Sequence, residues 1–395
     1  MNLYLTQNKY KSVEIHQLRL AFEQVTGLDL RWFFDQWFFK AGHPAIRVKH
    51  LYKNGKVTIT TQQVNDSSKF VYRLPLKVAV WSNNQRKVIP IEITQKNQSF
   101  SFNLSTKPHA VIFDAEQQLL GLIAHKKTDA ELAYQYDHEP TFKGRMEVID
   151  KLFNRKQLSP ILEQIVVHAL KDKFWAIRQR AIEKIVIYEN LQTNAIIQTL
   201  LKMAREDSKP LVQATAITSL SSFTSKNKLE YTDRIKALYE SSLKARSYAV
   251  TGAALDAMVK EKTANISEKI VKFEDYKTLE IVSVVAQYFV DNNTPNKYDW
   301  FVKKIQQTFQ ITKHQLLQSF GIYLLSADAA TQKKGVKFLT SIIQEKNEAQ
   351  AVKFLAYQSL SYLVDVEGVK DLLSKLKKDE KNPELKKMFR LIYGD

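Results

Sequence analysis

A spacing that returns six times in the second half of the chain constrains its fold more than any other feature. A large apolar residue is followed four positions later by a small one, and four later again by another large one. The six occurrences are Ile177-Ala181-Ile185, Val212-Ala216-Leu220, Val250-Ala254-Met258, Val282-Ala286-Val290, Leu317-Gly321-Leu325 and Leu355-Ser359-Leu363. Steps of four keep all three residues on one helix face, and a small residue at the centre lets a second helix approach closely. The small positions are 35, 38, 32, 35 and 38 residues apart. A period of about 36 residues holds two helices and two turns, which predicts a stack of helix pairs, an α-solenoid, over residues 128–395. Ala130 to Tyr136 and Met146 to Phe153 read as its irregular first pair. The lysine-bearing segments Asp371 to Lys377 and Pro383 to Ile392 read as its solvent-facing cap.

Between residues 45 and 127 the apolar period is two. Val57, Ile59 and Thr61 fall on one side of KVTITTQQV, and Leu74, Leu76, Val78 and Val80 on one side of VYRLPLKVAVW. Val88 to Thr94 and Ser99 to Leu104 continue the alternation, with Asn54-Gly55 and Asn83-Asn84 as turns. About seven short strands in this length predict a β-sandwich. The segment is also densely basic, with 13 Lys and Arg against 4 Asp and Glu in a chain of net charge +18. Lys49, Lys53, Lys56, Lys69, Arg73, Lys77, Arg86, Lys87 and Lys96 are spread along strands and turns, where cations protect sheet edges. No recognisable nucleic-acid reading module accompanies them, so nucleic acid is not the expected partner.

Residues 1–44 end in FEQVTGLDLRWFFDQWFFKAGHP. A helix from Val13 stops at Gly27, Asp29 is placed to cap a second, and Gly42 and Pro44 end that one. Leu30, Trp32, Phe33, Phe34, Trp37, Phe38 and Phe39 make the second helix apolar over nearly its whole circumference, which calls for neighbours on several sides.

The run Phe22, Glu23, Thr26, Gly27, Asp29, Leu30, then Phe34, Gln36, Trp37, then Gly42, His43, Pro44 resembles the end of the catalytic domain in the zinc aminopeptidases related to aminopeptidase N. Pro108, Val111 and Asp114 resemble that family's last sandwich strand. The resemblance implies a multidomain chain, β then α: the helical end of a truncated catalytic domain (1–44), a β-sandwich (45–127), and an α-solenoid of HEAT or armadillo-like helix pairs (128–395) that covers the catalytic cleft. It implies a parent enzyme that removes N-terminal residues from peptides with zinc, whose metal-binding half lies upstream. This chain alone would then be inactive and without cofactor, and Trp32, Phe33, Trp37 and Phe38 would pack on the missing catalytic domain. The alternative is a non-catalytic, aminopeptidase-like scaffold that binds protein or nucleic acid through its basic sandwich and solenoid.

Within the chain no catalytic, cofactor or metal residue is assigned. The zinc motif needs two His four apart on a helix with Glu beside the first. The nearest string, His138-Glu139-Pro140-Thr141-Phe142, lacks the second His and carries a helix-breaking Pro, so His138 and Glu139 read as linker residues. His16, His43, His50, His109, His125, His168 and His314 show no ligand spacing. There is no Gly-rich phosphate loop and no Gly-x-Ser-x-Gly elbow. Cysteine is absent, which rules out disulfides and thiolate chemistry. No apolar run reaches bilayer length and the first residues carry no signal-like apolar core, so a soluble chain is expected, with its compartment open.

Overall fold

The computed structural model describes residues 1–65, 70–153, 155–224 and 226–387. Lys69 of the basic set and residues 388–392 of the expected cap lie outside these. The chain divides into two compact units, Met1–Val166 and Val167–Asp395.

The first unit opens with α1 (Asn2–Gln7) and α2 (Ile15–Thr26). A capping box starts α2, in which the Gln17 side chain accepts from the Glu14 N–H at 2.8 Å. Gly27 ends it at φ 68°, a left-handed conformation that strains a residue with a Cβ. Next comes a break that the sequence pattern hid. Leu30 gives its N–H to Glu23 Oε1 at 2.9 Å, while Asp29 accepts the N–H of Arg31 at 3.0 Å. The helix therefore starts one residue later than an Asp29 cap implies. It runs as α3 (Arg31–Phe34) into a single π-helical turn, Asp35–Phe39, and is extended at Lys40 well before Gly42. Buried Gln36 fixes that turn, pairing with the Arg73 backbone as a strand would: it accepts from the N–H at 2.8 Å and donates to the carbonyl at 3.1 Å.

Among the described residues seven strands form two sheets: β1 (Ala45–Lys53), β2 (Lys56–Gln63), β3 (Leu74–Ser82), β4 (Gln85–Ile93), β5 (Asn97–Asn103), β6 (Ala110–Phe113) and β7 (Leu122–His125). The sheet orders are β5-β2-β1-β7 and β4-β3-β6. Asn54 with Gly55, and Asn83 with Asn84, sit at positive φ in the two hairpins, as turns that match strand twist require. Val57 and Ile59 face Leu74, Val78, Val80 and Val111 in the shared core. Strand β7 spans four residues, too few for an alternating pattern to show. It pairs parallel with β1, setting His125 opposite Val48. The unit continues with α4 (Asp129–His138), opened by a Thr128/Glu131 capping box, and α5 (Phe142–Phe153). Helix α4 packs on β6 and on α5 inside the first unit.

The division of the units falls within α6 (Pro160–Ala169). The second unit then runs through α7 (Trp175–Ile187), α8 (Asn194–Glu206), α9 (Pro210–Ser222), α10 (Thr232–Ser242), α11 (Tyr248–Lys260), α12 (Ile266–Val271), α13 (Leu279–Asp291), α14 (Tyr298–Gln307), α15 (Gln310–Leu325), α16 (Ala329–Gln344), α17 (Gln350–Ser361) and α18 (Val369–Asp379). Five triads fall wholly on α7, α9, α11, α13 and α15, and the sixth on α17 with its last member, Leu363, in the turn just past the helix end; each of these helices packs on the next in the series. The helices α8, α10, α14 and α16 each pack on the triad helix that follows them. Ala181, Ala216, Ala254 and Ala286 are wholly buried. Leu325 departs from the pattern and lies exposed. No helix among the described residues is long and apolar enough to cross a membrane.

Candidate functional site

Two places in the first unit carry more than packing. The first is the aromatic face of α3 and its π turn. Phe34 is buried and stacks on Phe38 at 4.8 Å. Trp37 packs on Tyr72 at the edge of the sandwich core, and the Arg73 guanidinium lies 4.4 Å from the centre of the Trp32 ring. Of the four residues expected to meet a missing domain, the two tryptophans are thus engaged within this unit. Phe33 and Phe38, with Phe39 beside them, are 37%, 49% and 66% exposed. Leu20, Val25 and Leu28 nearby in sequence are exposed as well.

The second is a polar cluster where β1, β7 and α4 meet. His50 Nδ1 lies 2.8 Å from His125 Nε2, and His50 Nε2 lies 2.5 Å from Glu131 Oε1. Thr128 adds its N–H and hydroxyl to the Glu131 carboxylate at 2.7 and 2.8 Å. Burial raises the Glu131 pKa, but the bonds from His50 and Thr128 outweigh it and hold the group at about 2. Burial, together with the charges of Lys127, His50 and Lys151, pushes His125 down to about 2. Glu131 is therefore ionised and His125 neutral at ordinary pH. The two ring nitrogens of His50 thus face Glu131 and His125, and the buried His125 Nδ1 has no hydrogen-bond partner.

Lys127 is enclosed beside this chain, with Nζ 2.6 Å from Gln135 Oε1 and 3.4 Å from Glu147. Burial lowers its pKa. Lys151 ties the network to β7 by donating to the His125 carbonyl at 3.2 Å. Both ring nitrogens of His50 are engaged and Lys127 is walled in, so the cluster offers a substrate neither a free base nor an open nucleophile. What it does is fasten α4 and α5 to the parallel strand pair. A cavity of about 1310 Å³ opens next to it, lined in part by Lys49, His50, Lys107, His109, Lys126 and Tyr134.

Glu139 is a correction to the linker reading. Its carboxylate is buried and accepts from Trp81 Nε1 and Arg86 Nε, each at 2.9 Å, because the end of α4 lies on the three-stranded sheet. His138 lies face to face with Tyr134 at 3.8 Å, with Nδ1 2.9 Å from the Tyr134 carbonyl. These two residues are committed to packing and do not fit a zinc site. Among the described residues, no group of three or more His, Asp or Glu side chains could hold a metal ion. His50 with His125, and His109 with His138 around Tyr134, come together across long stretches of sequence. The signal that could have paired the first two was the short β7, whose four residues are too few for alternation to show.

No protein-family model matches the chain, and no curated protein matches it. Among solved structures it is similar to Legionella pneumophila aminopeptidase A, determined in complex with aspartic acid, at 13% identity over 91% of this chain and 53% of that one, with a TM-score of 0.48. It is also similar to the YibA protein of Escherichia coli, at 16% identity over 64% of this chain and 93% of that one, with a TM-score of 0.42. The chain spans about half the length of the aminopeptidase. Both scores lie below 0.5, and neither likeness bears on what this chain does.

Proposed function

We propose that this chain is the sandwich-and-cover portion of an aminopeptidase N-like zinc peptidase, divided as 1–44, 45–127 and 128–395, with its helical part a HEAT-like solenoid. The observation that carries it is the junction at Glu23, Gly27 and Leu30. There the residues of the resembled motif perform linked tasks: Gly27 takes the left-handed turn, Glu23 receives the Leu30 N–H, and Gln36 locks the next turn to the sandwich. The exposed rings of Phe33, Phe38 and Phe39 suit a face that lies against a catalytic body. Covering their exposed parts would contribute roughly 2–3 kcal/mol each at about 25 cal/mol per Å². The packing of each triad helix on the next supports the solenoid. The metal chemistry of the parent is assigned to no residue of this chain.

The test compares this chain with the product of the reading frame extended upstream of Met1, each assayed on aminoacyl-p-nitroanilides with and without a chelator. Hydrolysis by the extended protein that the chelator abolishes, with none by this chain alone, is expected. An extended protein without a His-Glu-x-x-His motif, or inert with zinc supplied, would refute the proposal.

A further inference from the structure

The cavity beside the histidine chain has a use that the peptidase reading does not touch. Its wall carries two carboxylates, and both are already spent: Asp129 pairs with Arg155 at 2.8 Å and Glu131 with His50. Lys49, Lys107 and Lys126 also line it, all three exposed, and none forms an ion pair among the described residues. The cavity is thus ringed by cations whose counter-charge must come from solution. Its wall also carries the rings of Tyr52, His109 and Tyr134. Tyr134 stacks with His138 at 3.8 Å and 4° and with His109 at 4.7 Å and 12°. His109 and His138 are both exposed, and of the two only His109 lines the cavity.

We propose that this cavity binds a planar heterocycle carrying phosphate, with the ring extending the His109–Tyr134–His138 stack and the phosphate met by Lys49, Lys107 and Lys126. Base–aromatic stacking beside unpaired cations is how such ligands are held without sequence preference. An acidic peptide would satisfy the lysines alone and has no use for the stack.

The full-length chain is titrated with AMP by calorimetry and with a fluorescein-labelled RNA 10-mer by anisotropy, using poly-glutamate as an anion without rings. Binding of AMP indicates a free nucleotide and binding of the 10-mer alone a single strand; either supports the site. His109→Ala should weaken binding about 5- to 100-fold with the salt dependence unchanged. Lys107→Ala and Lys126→Ala should each lower the log–log salt slope for the 10-mer by about 0.7. All three positions are exposed, and unchanged unfolding midpoints would confirm intact folds, with His109→Gln as a second stacking variant. Poly-glutamate competing as well as the 10-mer, indifference of both His109 variants, or no binding of either probe at low salt overturns the proposal.

Discussion

Replacing Gly321 by alanine adds one methyl group where α15 meets α17. The new Cβ would lie 2.7 Å from Ser359 Cβ and 2.9 Å from Ser359 Cα and Oγ, whereas non-bonded carbons rest about 3.5–4 Å apart. Two of those atoms are at or next to the backbone and cannot swing aside. The helices must separate, or Ser359 must give up its 2.8 Å bond to the Leu317 carbonyl. Overpacking of this kind costs about 1–3 kcal/mol, and losing the hydroxyl bond about 1 kcal/mol more. Alanine in a helix interior returns about 1 kcal/mol over glycine. Gly321→Ala is therefore expected to destabilise the second unit by about 1–3 kcal/mol net. Gly252→Ala should cost more, because its Cβ would sit 2.3 Å from the Glu280 carbonyl oxygen. Gly335→Ala should cost least, since it meets the methyl ends of Leu324, which can rotate. Urea unfolding followed by far-ultraviolet circular dichroism ranks the three. A Gly321→Ala protein that unfolds at higher urea than its parent would show propensity acting alone, and would refute close contact at the small residues.

Two further outcomes concern the first unit. Glu139→Ala strips Arg86 and Trp81 of a buried acceptor and should destabilise by about 3 kcal/mol or more, with Glu139→Gln costing less because it keeps an acceptor oxygen; equal unfolding midpoints for the two variants would count against the buried pair. His125 stays near 2 in the folded chain, against about 6.5 unfolded, so below about pH 6.5 the unfolded chain takes up a proton that the folded chain refuses. Stability should be full above that pH and fall beneath it by up to about 1.4 kcal/mol per unit. Glu131, also held near 2, keeps its contribution above about pH 4.3 and loses it as the pH falls toward 2. His125→Gln should flatten the fall between pH 6.5 and 4.5, and an unchanged slope there would show that the burial is not felt.

The parts of the fold that could be read from the residues are those fixed by local rules. Gly27 ends α2 because only a residue without a Cβ takes φ 68° freely. Asn54-Gly55 makes a hairpin for the same reason, and the triads mark one row of helices because a step of four is one face. What escaped depends on partners far along the chain. Asp29 looks like a cap until Glu23 takes the Leu30 N–H. Glu139 follows a His and precedes a Pro, and nothing local tells that Trp81 and Arg86 will be waiting for it. His50 and His125 are 75 residues apart, joined through a parallel pairing of four residues that sequence periodicity cannot register.

The basic middle segment illustrates why charge must be placed before it is interpreted. Counted along the chain, its cations look evenly spread, which favours a solvated surface. In the fold many are neutralised: Arg73 by Glu92, Lys77 by Glu116, Arg86 by Glu139 and Lys127 by Glu147. Two of these four partners come from beyond residue 127, so packing of the α4 and α5 region onto the sandwich removes positive charge from one part of it. Lys53, Lys56, Lys87 and Lys96 stay on strands and hairpin ends, where edge protection accounts for them. Lys49, Lys107 and Lys126 come from β1, the β5–β6 loop and the β7–α4 connection, and they converge on one cavity whose carboxylates are already paired. An excess that looks diffuse along the chain is therefore focused at one site, and a localised positive potential beside exposed aromatic rings is what a solvated edge has no need to build.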